Sequence, residues 1–201
     1  MPYCIGLTGG IGSGKSSAAK VFEEFGAAIV DTDEISHALT RPGGAAIALI
    51  KGEFGAEYIA ADGSLDRAKM RQLVFSDPGA RKRLEAILHP LIGQETRARV
   101  AAAAQPYVIL AVPLLLEANA YLDLVKRIAV VDCSEAQQVE RTMLRSALSE
   151  QQVRAIMASQ VSRTQRLARA NDVLDNSGDS AGMRRQVEAL HEKYLALAAR
   201  G

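Results

Sequence analysis

The stretch "GLTGGIGSGKSS", residues 6–17, combines glycines, a lysine and serines at a spacing that can hold a chain of phosphates. Gly9, then Gly10, Ile11, Gly12 and Ser13, then Gly14, Lys15 and Ser16 complete the pattern G-x-x-x-x-G-K-[ST], with Ser17 following. Glycines let successive backbone N–H groups turn inward around phosphate oxygens. The helix that such a loop opens adds its own unbonded N–H groups and its positive dipole end. Lys15 then reaches the β- and γ-phosphates, and the Ser16 hydroxyl is placed to ligate Mg²⁺. The chemistry is nucleoside triphosphate binding, which leaves open what receives the γ-phosphoryl group.

A second chemical group is "VDTDE", residues 30–34. Asp31 and Asp33 follow a short apolar run and should emerge at the carboxyl edge of a sheet, the edge that carries the phosphate loop. A carboxylate there can accept the proton of an attacking hydroxyl or orient water around Mg²⁺. Asp33 can equally cap a helix starting at Glu34, and the two roles are compatible. Glu117 ends "PLLLE" after another apolar run, where it can stand near the metal through water, or cap or pair at the sheet edge. His89, before Pro90, reads from local sequence as a helix-junction residue. Between 141 and 169 lie Arg141, Arg145, Arg154, Arg163, Arg166 and Arg169 against a single acid, Glu150, so this window carries +5 while the rest carries −4. Guanidinium groups that close over a triphosphate stabilise charge on the transferring oxygens and exclude water, which suits a mobile lid. The same arginines can also form a solvated helical face.

Positioning these groups requires strands that end at one edge. "YCIGLT" (3–8), "AAIV" (27–30), "YVILAV" (107–112), "RIAVV" (127–131) and "DVLDN" (172–176) are apolar runs suited to buried parallel strands. Ala18, Val21, Phe22 and Phe25 recur at helical spacing until Gly26, and further helical patterns separate the strands. The expectation is an α/β fold: a doubly wound parallel sheet of about five strands with helices on both faces. The stretch between the second and third strands carries no convincing strand and reads as an inserted helical subdomain. In it, Pro78 opens a helix with Leu84, Ile87 and Leu88 as its apolar stripe, and Pro90 is expected to open another. Ser134 with Gln137, and Ser149 with Gln152, form capping boxes at the starts of two helices around the arginine window.

Composition narrows the classes. The chain of 201 residues is 48% hydrophobic and 23% charged with a net charge of +1, which gives no global attraction to nucleic acid or an anionic membrane. Its longest apolar run, "YVILAVPLLL", is interrupted by Pro113 and is much shorter than the roughly 18 residues of a membrane span. Cys4 and Cys133 lie in or beside apolar runs with no metal-type spacing, so reduced thiols, a cytoplasmic location and no secretory signal are expected.

Taken in order, "GLTGGIGSGKS", "VDTDEISHAL", "HPLI", "VPLLLE", "VVDCS" with "ERTMLR", and "NDVLDNSG" resemble the dephospho-coenzyme A kinases, a P-loop kinase family, across nearly the whole chain. The resemblance implies a P-loop NTPase-type sheet and transfer of the γ-phosphoryl group of Mg-ATP to the ribose 3′-hydroxyl of dephospho-coenzyme A, the final step of coenzyme A biosynthesis. It implies Asp33 as general base, Lys15 and Arg141 in catalysis, and Arg145 and Asn176 on the nucleotide, Asn176 near the adenine. His89 and Pro90 would line the acceptor site, and Ser16 would hold Mg²⁺, with Asp31 or Glu117 reaching it through water. The implied division is a nucleotide-binding core (1–33, 105–140 and 170–201), an acceptor-binding insertion (34–104) and a lid (141–169). ATP and dephospho-coenzyme A would be its partners, with no nucleic acid or membrane involved.

Two other classes fit parts of the pattern. A nucleoside or nucleotide kinase would share the core and lid, but the insertion offers few aromatics (Phe54, Tyr58, Phe75) to hold a base. A nucleotide switch would use "DNSG" (175–178), but no N-K-x-D follows it, and a switch has no use for a base and a lid.

Overall fold

The computed structural model describes residues 2–117 and 121–200. The chain divides into two compact units, one formed by residues up to Val30 together with those from Val100 onward, the other by Asp31–Arg99.

In the first unit, five strands form the sheet: β1 (Tyr3–Gly9), β2 (Ala28–Asp31), β3 (Tyr107–Ala111), β4 (Arg127–Asp132) and β5 (Asp172–Asp175). Their order across the sheet is β2-β3-β1-β4-β5, so β1 is central. It runs parallel to β3, with Ile5 opposite Ile109, and to β4, with Leu7 opposite Ala129, while β4 runs parallel to β5. Every residue of β3 is buried, as are Cys4 to Gly9 of β1, which is why these strands read as unbroken apolar runs. Two helices cover one face. Ala18 and Phe22 of α1 (Lys15–Glu24) and Met183, Val187 and Tyr194 of α9 (Ser180–Ala198) pack with Ile5, Leu7, Ile109, Val131 and Leu174.

The arginine-rich window contains α6 (Glu135–Arg145), α7 (Glu150–Ala158) and α8 (Arg163–Ala168). Both expected capping boxes form, and Ser162 with Gln165 makes a third at the start of α8. Arg141 stands well inside α6.

The second unit holds α2 (Thr32–Leu39), α3 (Ile47–Phe54), a short 3₁₀ turn (Ala56–Tyr58), α4 (Arg67–Ser76) and most of α5 (Pro78–Ala102). Ala46, Ile50, Leu65 and Met70 form its core, against which Leu84, Ile87 and Leu88 of α5 pack as their spacing predicts. One expectation is corrected: Pro90 does not open a new helix but lies inside α5, which runs unbroken for 25 residues. Its ring removes only the hydrogen bond to the Ala86 carbonyl. Ala86, His89 and Pro90 are all exposed, so water can satisfy that carbonyl and the helix continues. No helix among the described residues is long and apolar enough to cross a membrane.

At the start of β5, the buried Asp172 accepts from Arg127 Nε at 2.9 Å, Lys193 Nζ at 2.5 Å and the Tyr194 hydroxyl at 3.1 Å. Burial works to raise its pKa, but the hydrogen bonds from Arg127 and Lys193 outweigh it and hold the carboxyl below its ordinary value. Asp172→Asn weakens charge-assisted hydrogen bonds to two partly exposed cations and is expected to cost about 1.5–3 kcal/mol at neutral pH. With a depressed folded-state pKa, the contribution of Asp172 is fully present above about 3.9 and lost as pH falls through the lowered value. In urea titrations the gap between wild type and variant should therefore be wide at pH 7 and narrow in acid, and a constant gap would refute the ion-pair account.

Candidate active site

The phosphate loop owes its shape to glycines in conformations that other residues rarely adopt. Gly12 has φ 72° and Gly14 φ 96°, and Ser13 N–H donates to the Gly10 carbonyl at 3.0 Å. Gly14 is the N-cap of α1 and offers no side chain to the first turn, so the helix begins at Lys15 with no side-chain cap on its N–H groups. That leaves donors and a positive dipole end for an anion. A Cβ at Gly14 would stand 2.1 Å from Asn176 Nδ2, and one at Gly12 would stand 2.5 Å from Thr142 Oγ1, so the loop is closely wrapped by α6 and by the turn after β5.

That turn is fastened on both sides. Asn176 donates from Nδ2 to the Ser13 carbonyl at 2.7 Å and from its backbone N–H to the Asp132 carbonyl at 2.7 Å. Arg141 Nη2 donates to the Asn176 carbonyl at 2.9 Å. Beside this chain lies a cavity of about 360 Å³, lined by the expected Gly12, Gly14, Ser17, Arg141, Arg145 and Asn176 and also by Val21, Ser180 and Met183. The side chains of Val21 and Met183 give its wall an apolar part, suited to a flat base, next to cationic Arg141 and Arg145. Ser13 Oγ, Arg141 Nη1 and Thr142 Oγ1 are buried around the loop with no hydrogen-bond partner among the described residues. Unpaired polar atoms gathered at one place suit a polar ligand.

The six arginines of the window divide into different tasks. Arg141 and Arg145 face the cavity. Arg163 forks onto Asp132 at 2.7–3.2 Å, a bond that raises its pKa, and Arg154 pairs with Glu150 on the surface. Arg169 Nη1 donates to the Leu116 carbonyl at 3.1 Å. Arg166 is buried, donates to the Val161 carbonyl at 2.7 Å, and stands near the loop, where a Cβ on Gly10 would meet its Nη1 at 3.1 Å. Burial lowers its pKa and the charge of Glu117 opposes that shift.

Glu117 Oε1 accepts from Val161 N–H at 3.0 Å and lies 4.0 Å from Arg166 Nη2. In the other unit, the capping role falls on Asp31 and not on Asp33. Helix α2 starts at Thr32, two residues earlier than expected, and Asp31 Oδ1 accepts from Asp33 N–H at 2.8 Å. Asp33 lies exposed in the first turn of α2, and His89 and Pro90 lie on the exposed side of α5. Gln138, Thr142, Gln160, Ser180 and Met183 escaped the sequence reading. Two of them carried a signal: Gln138 and Thr142, both buried, recur at helical spacing with Arg141 and mark a polar face of α6 turned toward the loop. Gln160, whose Oε1 accepts from Ile11 N–H at 3.1 Å, lies far away in sequence and carried none.

The sequence matches the Dephospho-CoA kinase family over residues 3–182. The chain belongs to this family. A dephospho-CoA kinase from Nitrosospira multiformis is 55% identical over 194 residues, covering 96% of this chain and 97% of that protein. One from Nitrosomonas europaea is 58% identical over 198 residues, covering 98% of each. Among solved structures, TT1252 from Thermus thermophilus superposes with a TM-score of 0.78 at 31% identity, covering 96% of this chain and 97% of that one. Membership accounts for the P-loop kinase fold, with its five parallel strands and flanking helices, and makes ATP the nucleotide expected at the loop. The family members' near-equal length means that the cavity, α6 and the Asp31–Arg99 unit all lie within the shared span.

Proposed function

We propose that the protein transfers the γ-phosphoryl group of ATP to the ribose 3′-hydroxyl of dephospho-coenzyme A, giving coenzyme A and ADP. The observation that carries this is the loop and cavity as one site: an α1 N-terminus with no side-chain cap, opening beside a cavity with cationic and apolar walls. Family membership supports the choice of acceptor. In this reading the loop N–H groups and Lys15 hold the phosphates, and Arg141 and Arg145 neutralise charge on the transferring group. Asp33 takes the proton of the 3′-hydroxyl as its oxygen bonds to the γ-phosphorus and the bond to the β-bridging oxygen breaks. His89 and Pro90 line the acceptor site within the 34–104 insertion, and residues 141–169 close as a lid.

The donor set fits Mg²⁺ carried in with the nucleotide. Among the described residues no group of three or more His, Cys, Asp or Glu side chains could cage a metal ion, whereas Mg²⁺ typically keeps water and binds through few protein ligands plus substrate phosphates. Ser16, exposed in the first turn of α1, would be its direct ligand, with Asp31 or Glu117 reaching it through water. When bound, the ion would neutralise charge on the β- and γ-phosphates. The free, buried Cys4 and Cys133 support a reducing, cytoplasmic setting.

The test is ADP release from purified protein and Mg-ATP with and without dephospho-coenzyme A, followed by mass measurement of the acceptor. The expected result is acceptor-dependent ADP release and a gain of one phosphoryl group. Release that needs no acceptor, or transfer only to a nucleoside or nucleotide, would overturn the reading.

A further inference from the structure

The Asp31–Arg99 unit pairs three of its surface arginines with carboxylates: Arg81 with Glu85, Arg83 with Glu53 at 2.9 Å, and Arg99 with Glu95. Arg41, Arg67 and Arg71 are different. All three are exposed, and none has a carboxylate within ion-pair distance among the described residues. The nearest acid in sequence, Asp66, is committed as the N-cap of α4, accepting from Lys69 N–H at 3.0 Å and lying 3.8 Å from Lys69 Nζ.

The three are nonetheless held together. Thr40, the C-cap of α2, is buried, and its hydroxyl donates to the Ser36 carbonyl at 2.9 Å and accepts from Arg67 Nη2 at 2.5 Å. Thr40 thereby fixes the Arg67 guanidinium beside the residue that follows it, Arg41. Arg71 lies one turn beyond Arg67 on the same face of α4. After burial, the charges of Arg41 and Arg71 are what lower the pKa of Arg67, so the three fields overlap. Like charges gathered without an internal counter-ion suit an external polyanion, and guanidinium forks match phosphate oxygens in particular.

We propose that Arg41, Arg67 and Arg71 bind the diphosphate of the acceptor, dephospho-coenzyme A. This rests on the function proposed above. Helix α2 supplies the ruler: Asp33 stands in its first turn and Thr40 caps its other end, seven residues and roughly 10 Å apart. In the acceptor, the 3′-oxygen that Asp33 would deprotonate and the 5′-diphosphate sit on opposite sides of one ribose. A base at one end of α2 and three long cationic side chains at the other can engage both at once. The nucleotide's own phosphates have the glycine loop of the other unit, and no such loop occurs in Asp31–Arg99.

The test uses Arg41→Gln, Arg71→Gln and the double variant of the full chain, with thermal melts to verify folding. The double variant is expected to raise the KM for dephospho-coenzyme A about 10- to 100-fold, with the KM for ATP unchanged. Its preference in kcat/KM for dephospho-coenzyme A over adenosine, an acceptor without the diphosphate, should fall by the same factor. An unchanged KM for dephospho-coenzyme A, an equal loss with adenosine, or a loss confined to ATP would each overturn the assignment. Calorimetric titration with dephospho-coenzyme A alone separates this from the proposed function. Binding that weakens in the double variant supports the site even if no phosphoryl transfer is detected, and binding equal in both proteins refutes it even if transfer proceeds.

Discussion

Asp33→Asn is expected to lower the rate of phosphoryl transfer to dephospho-coenzyme A roughly 10²- to 10⁴-fold while ATP binds as before. The amide keeps the size of the carboxylate but cannot accept the proton of the ribose hydroxyl. The helix geometry makes the experiment cleaner than the sequence suggested. The N-cap of α2 is Asp31, so Asp33 can be neutralised without removing the side chain that satisfies the first turn. Asp31→Asn is the matching control, because asparagine caps a helix about as well as aspartate. Stopped-time assays of transfer, with ATP affinity measured separately, distinguish the two. If Asp33→Asn transfers at near wild-type rate while Asp31→Asn is silent, the base is Asp31 and the proposed role of Asp33 is wrong.

That pair of aspartates shows where sequence reasoning reached and where it stopped. Five strands were legible because buried parallel strands are apolar on both faces, and the order of Gly9, Gly14, Lys15 and Ser16 after one of them marked the loop. The capping boxes at Ser134 and Ser149 were legible for the same local reason; the equivalent pair Ser162 and Gln165 carried the same signal and went unread. Pro90 misled because proline at a helix start and proline on the wet side of a continuing helix look alike in one dimension. Helices α3 and α4 were hidden because each is short, α3 contains Gly52, and their stability comes from packing Ile50 and Met70 into one small core. The arginine window was visible as charge, but its division of labour was not. Asp132 lies 31 residues before Arg163, and Leu116 lies 53 before Arg169, and such pairings exist only once the sheet has formed.

Arg141→Met is the second large effect expected, a loss of about 10²- to 10³-fold in kcat/KM, the cost of one preorganised donor to a transferring group. Two roles compete to explain any such loss. Arg141 holds the Asn176 carbonyl through Nη2, and Asn176 in turn holds the Ser13 carbonyl, so the variant could act by loosening the phosphate loop. A loosened loop binds the ground state and the transition state equally less well, which raises the KM for ATP and leaves kcat intact. A donor used only as charge spreads over the phosphoryl oxygens lowers kcat instead. The buried Nη1, which has no partner among the described residues, is the reason to expect the second pattern. Arg141→Lys sharpens the comparison, since it keeps the charge but loses the planar fork that can serve Asn176 and a phosphate oxygen together. Partial recovery of kcat by lysine, with KM still raised, would show both roles in one side chain. A change in KM alone in both variants would reduce Arg141 to a brace for the loop and leave Lys15 and Arg145 to carry the charge.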